Sequence, residues 1–482
     1  MQYKTTVLLV TTIGIVMSGI DSRIVIVGLP EVANALHADA EQAIWFTQAF
    51  VFGSTIAVLM IGRTADIVGR VRIYNVGFAI FTIGSLLTGL SQNANQVILF
   101  RGLQGFGSAF LITISATIIT DVTPRNELGF AVGLNQIAFR AGSMAGLTIS
   151  GIILSFLDWR FLFYINVPIG ILGTYWSHKK LKEVAILERS APMDWLGFAL
   201  IGTSITGLLV ALTYAAYGLT SLDLVLVSLI ISLASLTLFV YRESRTPYPL
   251  LDLKLLKIPQ FTGGTVAVLL NAISWGALLL ILSLYFQVGL GMDPLHAGIS
   301  ILPFEFAFLA SGPISGRLSD KYGKVPFTVS GLAIQSVSLF LFSTNGINTP
   351  YFYSVLYMVF FGLGVGLFAS PNMSAVMLAA PLNRRGIASA LRNTCWNVGY
   401  TISLNLAILL MSLTMPYQTV SSLISSNIAT ISVANRTLFI ESLKTTYLWL
   451  GVINSIAIIP SLVGYHIFVP RKTKPSEKLI SD

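Results

Sequence analysis

The chain has 482 residues, 54% of them hydrophobic and only 10% charged, with a mean hydropathy of +0.79. A soluble domain carries roughly a quarter charged residues, so this composition excludes the ordinary water-soluble classes. The net charge of +9 comes with no basic face interleaved with aromatics, which points away from nucleic acid, and the single cysteine, Cys395, excludes an intramolecular disulfide and a cysteine-rich metal site.

Apolar stretches of about 20 residues, the length that spans a bilayer, recur along the chain. Fourteen lie near 6–29, 42–61, 73–92, 97–119, 128–154, 161–178, 195–217, 222–241, 262–290, 295–315, 325–344, 350–378, 388–413 and 445–469. The expected fold class is therefore an all-α integral membrane protein with 14 transmembrane helices. The first stretch resembles a signal peptide in position, but it has no small-residue cleavage site and stays apolar past Asp21 to Pro30, so it reads as a retained helix. Of the 29 Lys and Arg, 22 fall in alternate connections on one side and 3 (Arg160, Arg436 and Lys444) on the other. Basic residues gather in cytoplasmic loops, so both termini are expected in the cytoplasm, and the net charge is this orientation bias. The connection from about Pro416 to Thr445 is polar and rich in Ser and Asn, with nothing to suggest a folded domain.

Ionisable residues inside the stretches are costly and normally face a cavity or a partner. Asp21 lies about two-thirds of the way along the first stretch, too deep to reach water without a cavity, as a proton carrier would be. Arg23, two residues on, faces away from it and can snorkel to the outer surface. Arg101 opens the run Arg101-Gly102-Leu103-Gln104-Gly105-Phe106-Gly107, with Gln104 one turn along on the same face. It either faces a partner or snorkels to the interface. Arg140 needs an acidic partner, Asp21 or Glu305; beyond it Gly142 and Gly146 form a small-x-x-x-small face for close helix contact, with Gly151 further on. Glu305, about ten residues into its stretch, is either a proton or substrate group or a structural partner for Arg140 or Arg101.

One nine-residue phrase occurs twice. Gly62-Arg63-Thr64-Ala65-Asp66-Ile67-Val68-Gly69-Arg70 returns 254 residues later as Gly316-Arg317-Leu318-Ser319-Asp320-Lys321-Tyr322-Gly323-Lys324. Such a repeat implies two related halves. The glycines permit a tight turn, and Asp66 can accept hydrogen bonds from a helix N-terminus or pair with Arg70. The loop is then a latch that opens and closes, or a static topological anchor; Asp320 and Lys324 form the weaker second copy.

The repeated phrase resembles the cytoplasmic-loop signature of the major facilitator superfamily. Asp21-Ser22 with Ile24-Val25 and Leu29-Pro30, the run Trp159-Arg160 to Phe163, Ile165-Asn166-Val167-Pro168-Ile169-Gly170, and Tyr285-Phe286-Gln287 followed by Gly291, Pro294, Ala297-Gly298 and Leu302-Pro303 together resemble the fourteen-helix drug:proton antiporters, the multidrug-resistance-type exporters. The resemblance implies two six-helix bundles, residues 1–190 and 258–482, related by an axis along the membrane normal, with an inserted helix pair in 191–257 and a substrate site between the bundles at mid-depth. It ties Arg101 to proton coupling. Two departures stand out: Arg23 replaces a small Thr, and the antiporter motif G-P-x-x-G-G reads Gly146-Leu147-Thr148-Ile149-Ser150-Gly151, without its proline.

The expected function is a proton-coupled secondary exporter of drugs or amphipathic small molecules, working by alternating access in the cell membrane. Asp21 and Glu305 are its proton and cation candidates, with Arg101 and Arg140 modulating them. Expected partners are a small-molecule substrate, protons and the lipid bilayer, with no nucleic acid and a monomeric state. No enzyme activity, cofactor or metal is expected: the chain has no phosphate-binding Gly-x-x-x-x-Gly-Lys-Ser/Thr, and its four histidines are scattered. The rivals are an uptake symporter for an organic anion, suggested by Arg23 and Arg140, and a non-transporting receptor or assembly partner.

Overall fold

A computed structural model describes residues 3–123, 128–183, 194–216, 222–246, 249–251, 253–381, 385–425 and 432–466, without some side chains inside these spans. The basic residues Arg125, Arg189, Arg384, Arg471, Lys472, Lys474 and Lys478, which helped set the expected orientation, lie outside the described residues. The first part of the chain forms α1 (Tyr3–Ala35), α2 (Ala40–Val68), α3 (Arg70–Gly89), α4 (Ala94–Val122), α5 (Leu128–Phe156), α6 (Phe161–Tyr164) and α7 (Asn166–Lys180). A pair follows, α8 (Trp195–Ala216) and α9 (Leu222–Arg245). The last part forms α10 (Pro259–Trp275), α11 (Leu278–Leu284), α12 (Pro294–Ser300), α13 (Leu302–Tyr322), α14 (Val325–Phe342), α15 (Tyr351–Ala379), α16 (Arg385–Ser412), α17 (Tyr417–Ser425), α18 (Val433–Ile456) and α19 (Ile458–His466).

Helix occupies all fourteen expected segments, and among the described residues twelve helical spans are long and apolar enough to cross a membrane. The segments beyond those twelve are α2 and the α6–α7 pair. The connection between α16 and α18 is partly helical. It contains α17, whose Val420, Leu423 and Ile424 recur at helical spacing and are buried against α1, α2 and α16. Large apolar side chains face outward over much of the surface, Ile230 and Leu238 of α9 among them, as a lipid-facing surface requires.

The two parts of the chain pack by one scheme. In the first, α4 lies against both α2 and α3, and α1 crosses α5; in the second, α15 lies against α13 and α14, and α10 crosses α16. Missing side chains set the crossings. A Cβ on Gly105 would stand 1.9 Å from the carbonyl oxygen of Phe50 on α2, and one on Gly362 would stand 2.4 Å from that of Phe304 on α13. On α5, a Cβ on Gly142 would meet the Val16 carbonyl oxygen at 2.5 Å and one on Gly146 the Ile20 carbonyl oxygen at 2.4 Å, so this face seats α1. Gly151 instead faces the other half, 2.4 Å from Leu295 Cα by the same measure.

The α8–α9 pair is pinned at one end by Asp194. It caps α8 by accepting from the Gly197 amide at 2.8 Å, and it pairs with Arg242 of α9 at 2.8 Å. The pair docks through α8 on α16 and on α2, from opposite halves.

Candidate functional site

The deepest polar cluster lies inside the first bundle. Asp21 on α1 is fully buried; its Oδ2 accepts from Arg101 Nη1 at 2.5 Å, and its Oδ1 accepts from Gln104 Nε2 at 2.6 Å and Asn166 Nδ2 at 2.9 Å. Arg101, 1% exposed, also donates to Gln104 Oε1 at 2.7 Å and, through Nε, to the Phe46 carbonyl at 3.0 Å. Gln104 Nε2 reaches Ser85 Oγ of α3 at 2.7 Å. Local sequence builds this arrangement. The i, i+3 spacing puts Arg101 and Gln104 on one face of α4, and Gly105 lets α2 approach until the Phe46 carbonyl and the Phe50 ring, 4.4 Å from the guanidinium carbon, close over the arginine. Arg101 therefore faces a partner rather than snorkelling. Burying an ion pair costs several kcal/mol per ion, offset here by partners for both Asp21 oxygens and for the Arg101 Nε and Nη1.

The second bundle holds a neutral polar cluster of its own. Asn271 of α10 donates to Gln335 Oε1 of α14 at 2.7 Å and to Asn454 Oδ1 of α18 at 2.8 Å, and Asn454 donates to the Leu332 carbonyl at 2.9 Å. Each half thus carries a buried polar knot on its α1 or α10 helix, and the one in the first half holds the ion pair.

A second group spans the seam between the halves. Arg23 is 7% exposed and its Nη1 donates to the Tyr400 hydroxyl of α16 at 3.3 Å, which corrects the expectation that it snorkels outward. Arg140 of α5 holds its guanidinium 3.8 Å from the centre of the Phe308 ring on α13, and the charges of Glu305 and Arg23 both act on it. Asp21 is not its partner, since both Asp21 oxygens are taken inside the first bundle. Glu305 is fully buried, and neither of its carboxylate oxygens has a hydrogen-bond partner among the described residues. Beside it Trp275 packs against Phe304, Phe308 and Trp396.

The repeated loops are alike in backbone. Gly69 and Gly323 both take positive φ, +115° and +90°, a region open to glycine at no steric cost. The basic residue closing each copy crosses to the corresponding helix: Arg70 pairs with Asp121 at the end of α4, and Lys324 contacts Ser374 of α15 while lying 3.6 Å from Asp320. Gly316 faces Ser370 of α15, and Arg317 is exposed. Gly62, Arg63 and Asp66 continue the backbone of α2, and their side chains lie outside the described residues. Among the described residues, the acid that caps α3 is Glu183, from the segment after α7. It accepts from the amides of Arg70 at 2.8 Å and Val71 at 3.1 Å.

At the end of the bundles away from the chain's start, the halves are sealed. Gln287 Nε2 donates to the Val27 carbonyl at 3.0 Å, and Ser283 Oγ to the Ile26 carbonyl at 3.2 Å. Pro30 supplies no amide to the Ile26 carbonyl, which would otherwise close a turn of α1, so that carbonyl is free to bond across the seam. Gln287 sits in a π-helical turn, Tyr285–Gly289, that widens the backbone at this point.

Asn166, Ser85, the Phe46 carbonyl, Gln287, Ser283, Glu183 and the aromatic residues beside Glu305 were not singled out as site residues by sequence reasoning. Asn166 and Gln287 carried a usable signal, as amides inside phrases already conspicuous for other reasons.

Two helical bundles with a polar seam have the build of a membrane carrier. The sequence profile of the Major Facilitator Superfamily matches residues 11–404, and the chain belongs to that superfamily. The riboflavin transporter RibZ of Clostridioides difficile (strain 630) is 30% identical over 402 residues, covering 83% of this chain and 87% of the relative. The tetracenomycin C resistance and export protein of Streptomyces glaucescens is 26% identical, covering 81% of this chain and 73% of the relative. The fold is similar to a bacterial homologue of the human lysosomal transporter Spinster in an inward-facing, unoccupied conformation, with a TM-score of 0.68 at 14% identity, covering 96% of this chain and 97% of that one.

Proposed function

We propose that the protein is a proton-coupled secondary exporter of amphipathic small molecules, of the fourteen-helix drug:proton antiporter type. In this reading α2 and the α6–α7 pair cross the plasma membrane beside the other twelve spans, and both termini are cytoplasmic. Residues 1–190 and 258–482 rock against each other, with 191–257 carried alongside, and the loops at Gly62–Arg70 and Gly316–Lys324 gate the cytoplasmic end. The end sealed by Gln287 is then the outer one, so the structure corresponds to the arm of the cycle closed to the outside.

The observation that carries the reading is the buried Asp21–Arg101 pair. A proton arriving at Asp21 Oδ2 occupies the electron pair that Arg101 Nη1 uses, leaving the guanidinium to Gln104 and the Phe46 carbonyl. An uncompensated buried charge of this kind costs about 3–5 kcal/mol, enough to favour a rearranged state. Asp21 and Arg23 share α1, and Arg23 reaches Tyr400 of the other half, so a shift of α1 at Asp21 is felt at the seam. Relatives named for resistance and export support the outward direction.

The test is purified protein in proteoliposomes with an imposed pH gradient. Substrate-dependent proton release, lost in Asp21→Asn, is the expected result. Solute movement that ignores the gradient would sink proton coupling. Co-movement of solute and proton would favour the second reading, uptake of an organic anion, for which Arg23 and Arg140 at the seam speak; no flux of any kind would leave the receptor role.

A further inference from the structure

The seam between the halves holds buried polar groups that have no hydrogen-bond partner among the described residues. A fully buried carboxylate without a hydrogen bond is rare in folded proteins and calls for an explanation such as a water or a bound group. Glu305 is such a group, and the indole Nε1 of Trp275, which packs on Phe304 and Phe308 of the Glu305 helix, and the Nε of Arg23 are also buried and unpartnered among the described residues. Arg140, midway along α5, rests its guanidinium on the Phe308 face, and among the described residues it makes no hydrogen bond and no ion pair with a carboxylate. These groups come from both halves: Arg23 and Arg140 from α1 and α5, Glu305 and Trp275 from α13 and α10.

Charge and shape select the occupant. Two guanidiniums face one carboxylate, so the seam retains a positive balance even with Glu305 ionised. Guanidinium favours planar oxyanions, which it can bind through two parallel hydrogen bonds. The wall is aromatic, with the Trp275 and Trp396 rings 5.1 Å apart and tilted by 56°. Flat rings stack on such surfaces, and the free indole N–H adds one donor.

We infer that this seam is a binding site for a flat aromatic molecule carrying one carboxylate-like anionic group, held by Arg23 and Arg140 and stacked against Trp275 and Trp396. This deepens the transport reading by giving its substrate class, and it departs from the cation preference that an acid in α13 would suggest. Glu305 keeps the two arginines from repelling each other in the empty site and offers an acceptor to a hydrogen-bond donor on the ligand.

The test measures equilibrium binding to the full-length protein in detergent, without a pH gradient, using three probes that share the naphthalene ring system: 2-naphthoate, 2-naphthylmethanol and 2-naphthylmethylammonium. The expected order is anion first, neutral next, cation last. Arg23→Gln and Arg140→Gln should each weaken 2-naphthoate by about 10- to 100-fold, the worth of one hydrogen bond to a charged group, and change the neutral probe far less. Arg140→Lys should recover part of the loss. Retained binding of 2-naphthylmethanol certifies that a variant is folded; if Arg23→Gln does not fold, Arg140→Gln and its lysine counterpart still decide the matter. Tighter binding of the cation, binding of none of the three, or an anion affinity unmoved by either arginine would overturn the proposal. Anion binding without proton-coupled flux would defeat the transport reading alone, whereas coupled flux of a cation with no anion binding would defeat this one alone.

Discussion

Arg101 Nη1 lies 2.5 Å from Asp21 Oδ2, and the pair joins α4 to α1 in the middle of the first bundle with neither side chain exposed to more than 1%. In the second bundle, Asn271, Gln335 and Asn454 hold α10, α14 and α18 together without charge. A charged pair in such a place costs several kcal/mol per ion in desolvation, a cost that a neutral knot avoids.

A double-mutant cycle on that pair separates packing from pairing. Asp21→Asn and Arg101→Gln should each destabilise the protein by about 3–5 kcal/mol, because each strands the other residue. The double variant should fall short of the sum by a coupling of about 0.5–3 kcal/mol, read from unfolding in detergent. Additive losses would mean that the two residues act independently.

The glycines of α5 make a second prediction. A Cβ at position 146 would sit 2.4 Å from the Ile20 carbonyl oxygen, and backbone cannot yield as a flexible side chain can. Gly146→Ala should therefore cost about 1–3 kcal/mol, as overpacking does. Gly202 in α8 has nothing within 4 Å of its would-be Cβ, so Gly202→Ala should be neutral or stabilising by up to about 1 kcal/mol through helix propensity. Equal thermal shifts in the two variants would contradict the close α1–α5 crossing.

The sequence made Asp21, Arg101 and Gln104 conspicuous because charge and amide groups are costly in apolar stretches. It also exposed the repeat, in which the second glycine of each copy, Gly69 and Gly323, proves to take positive φ. What it could not supply was which faces of separate helices meet. Arg140 was paired with Asp21 as one option because the two lie on neighbouring helices, yet the rotation of α1 turns Asp21 toward α4 and α7 and Arg23 toward the seam. Glu183 was missed for a different reason: an acid in a charged connection looks like a solvated one until the α3 amides are seen to point at it. The helix α17 was hidden by the Ser and Asn around it, although Val420, Leu423 and Ile424 carry its buried face.

The Glu183 cap gives a third prediction. Glu183→Ala removes the acceptor from the Arg70 and Val71 amides and should cost roughly 1 kcal/mol, the worth of a helix N-cap. Hydrogen exchange at those two amides should speed up by about five-fold, with the rest of α3 unchanged. Glu183→Gln, which keeps an acceptor but loses the charge, should lie between. Unaltered exchange at Arg70 and Val71 would show that another group caps the helix.

The seal at the Gln287 end supplies the last prediction. Two backbone carbonyls of α1 accept side-chain hydrogen bonds from the other half, one of them free because Pro30 lacks an amide. Gln287→Ala deletes a donor, whereas Pro30→Ala restores an amide that can close the turn and compete for the Ile26 carbonyl. The two changes act on opposite sides of the seam and should have one result, a shift toward the state in which this end is open. A net hydrogen bond is worth about 0.5–1.5 kcal/mol, so the open-to-closed ratio should rise by about 2- to 10-fold. Spin labels at Phe156→Cys and Ile299→Cys, in a Cys395→Ser background, report the separation of α5 and α12 by pulsed electron resonance. A longer-distance population should grow in both variants, and Gln287→Glu, whose carboxylate faces a carbonyl it cannot donate to, should enlarge it further. Distance distributions identical to the parent protein in all three would mean that the seal rests on the apolar contacts around Gly151 and Leu295 alone.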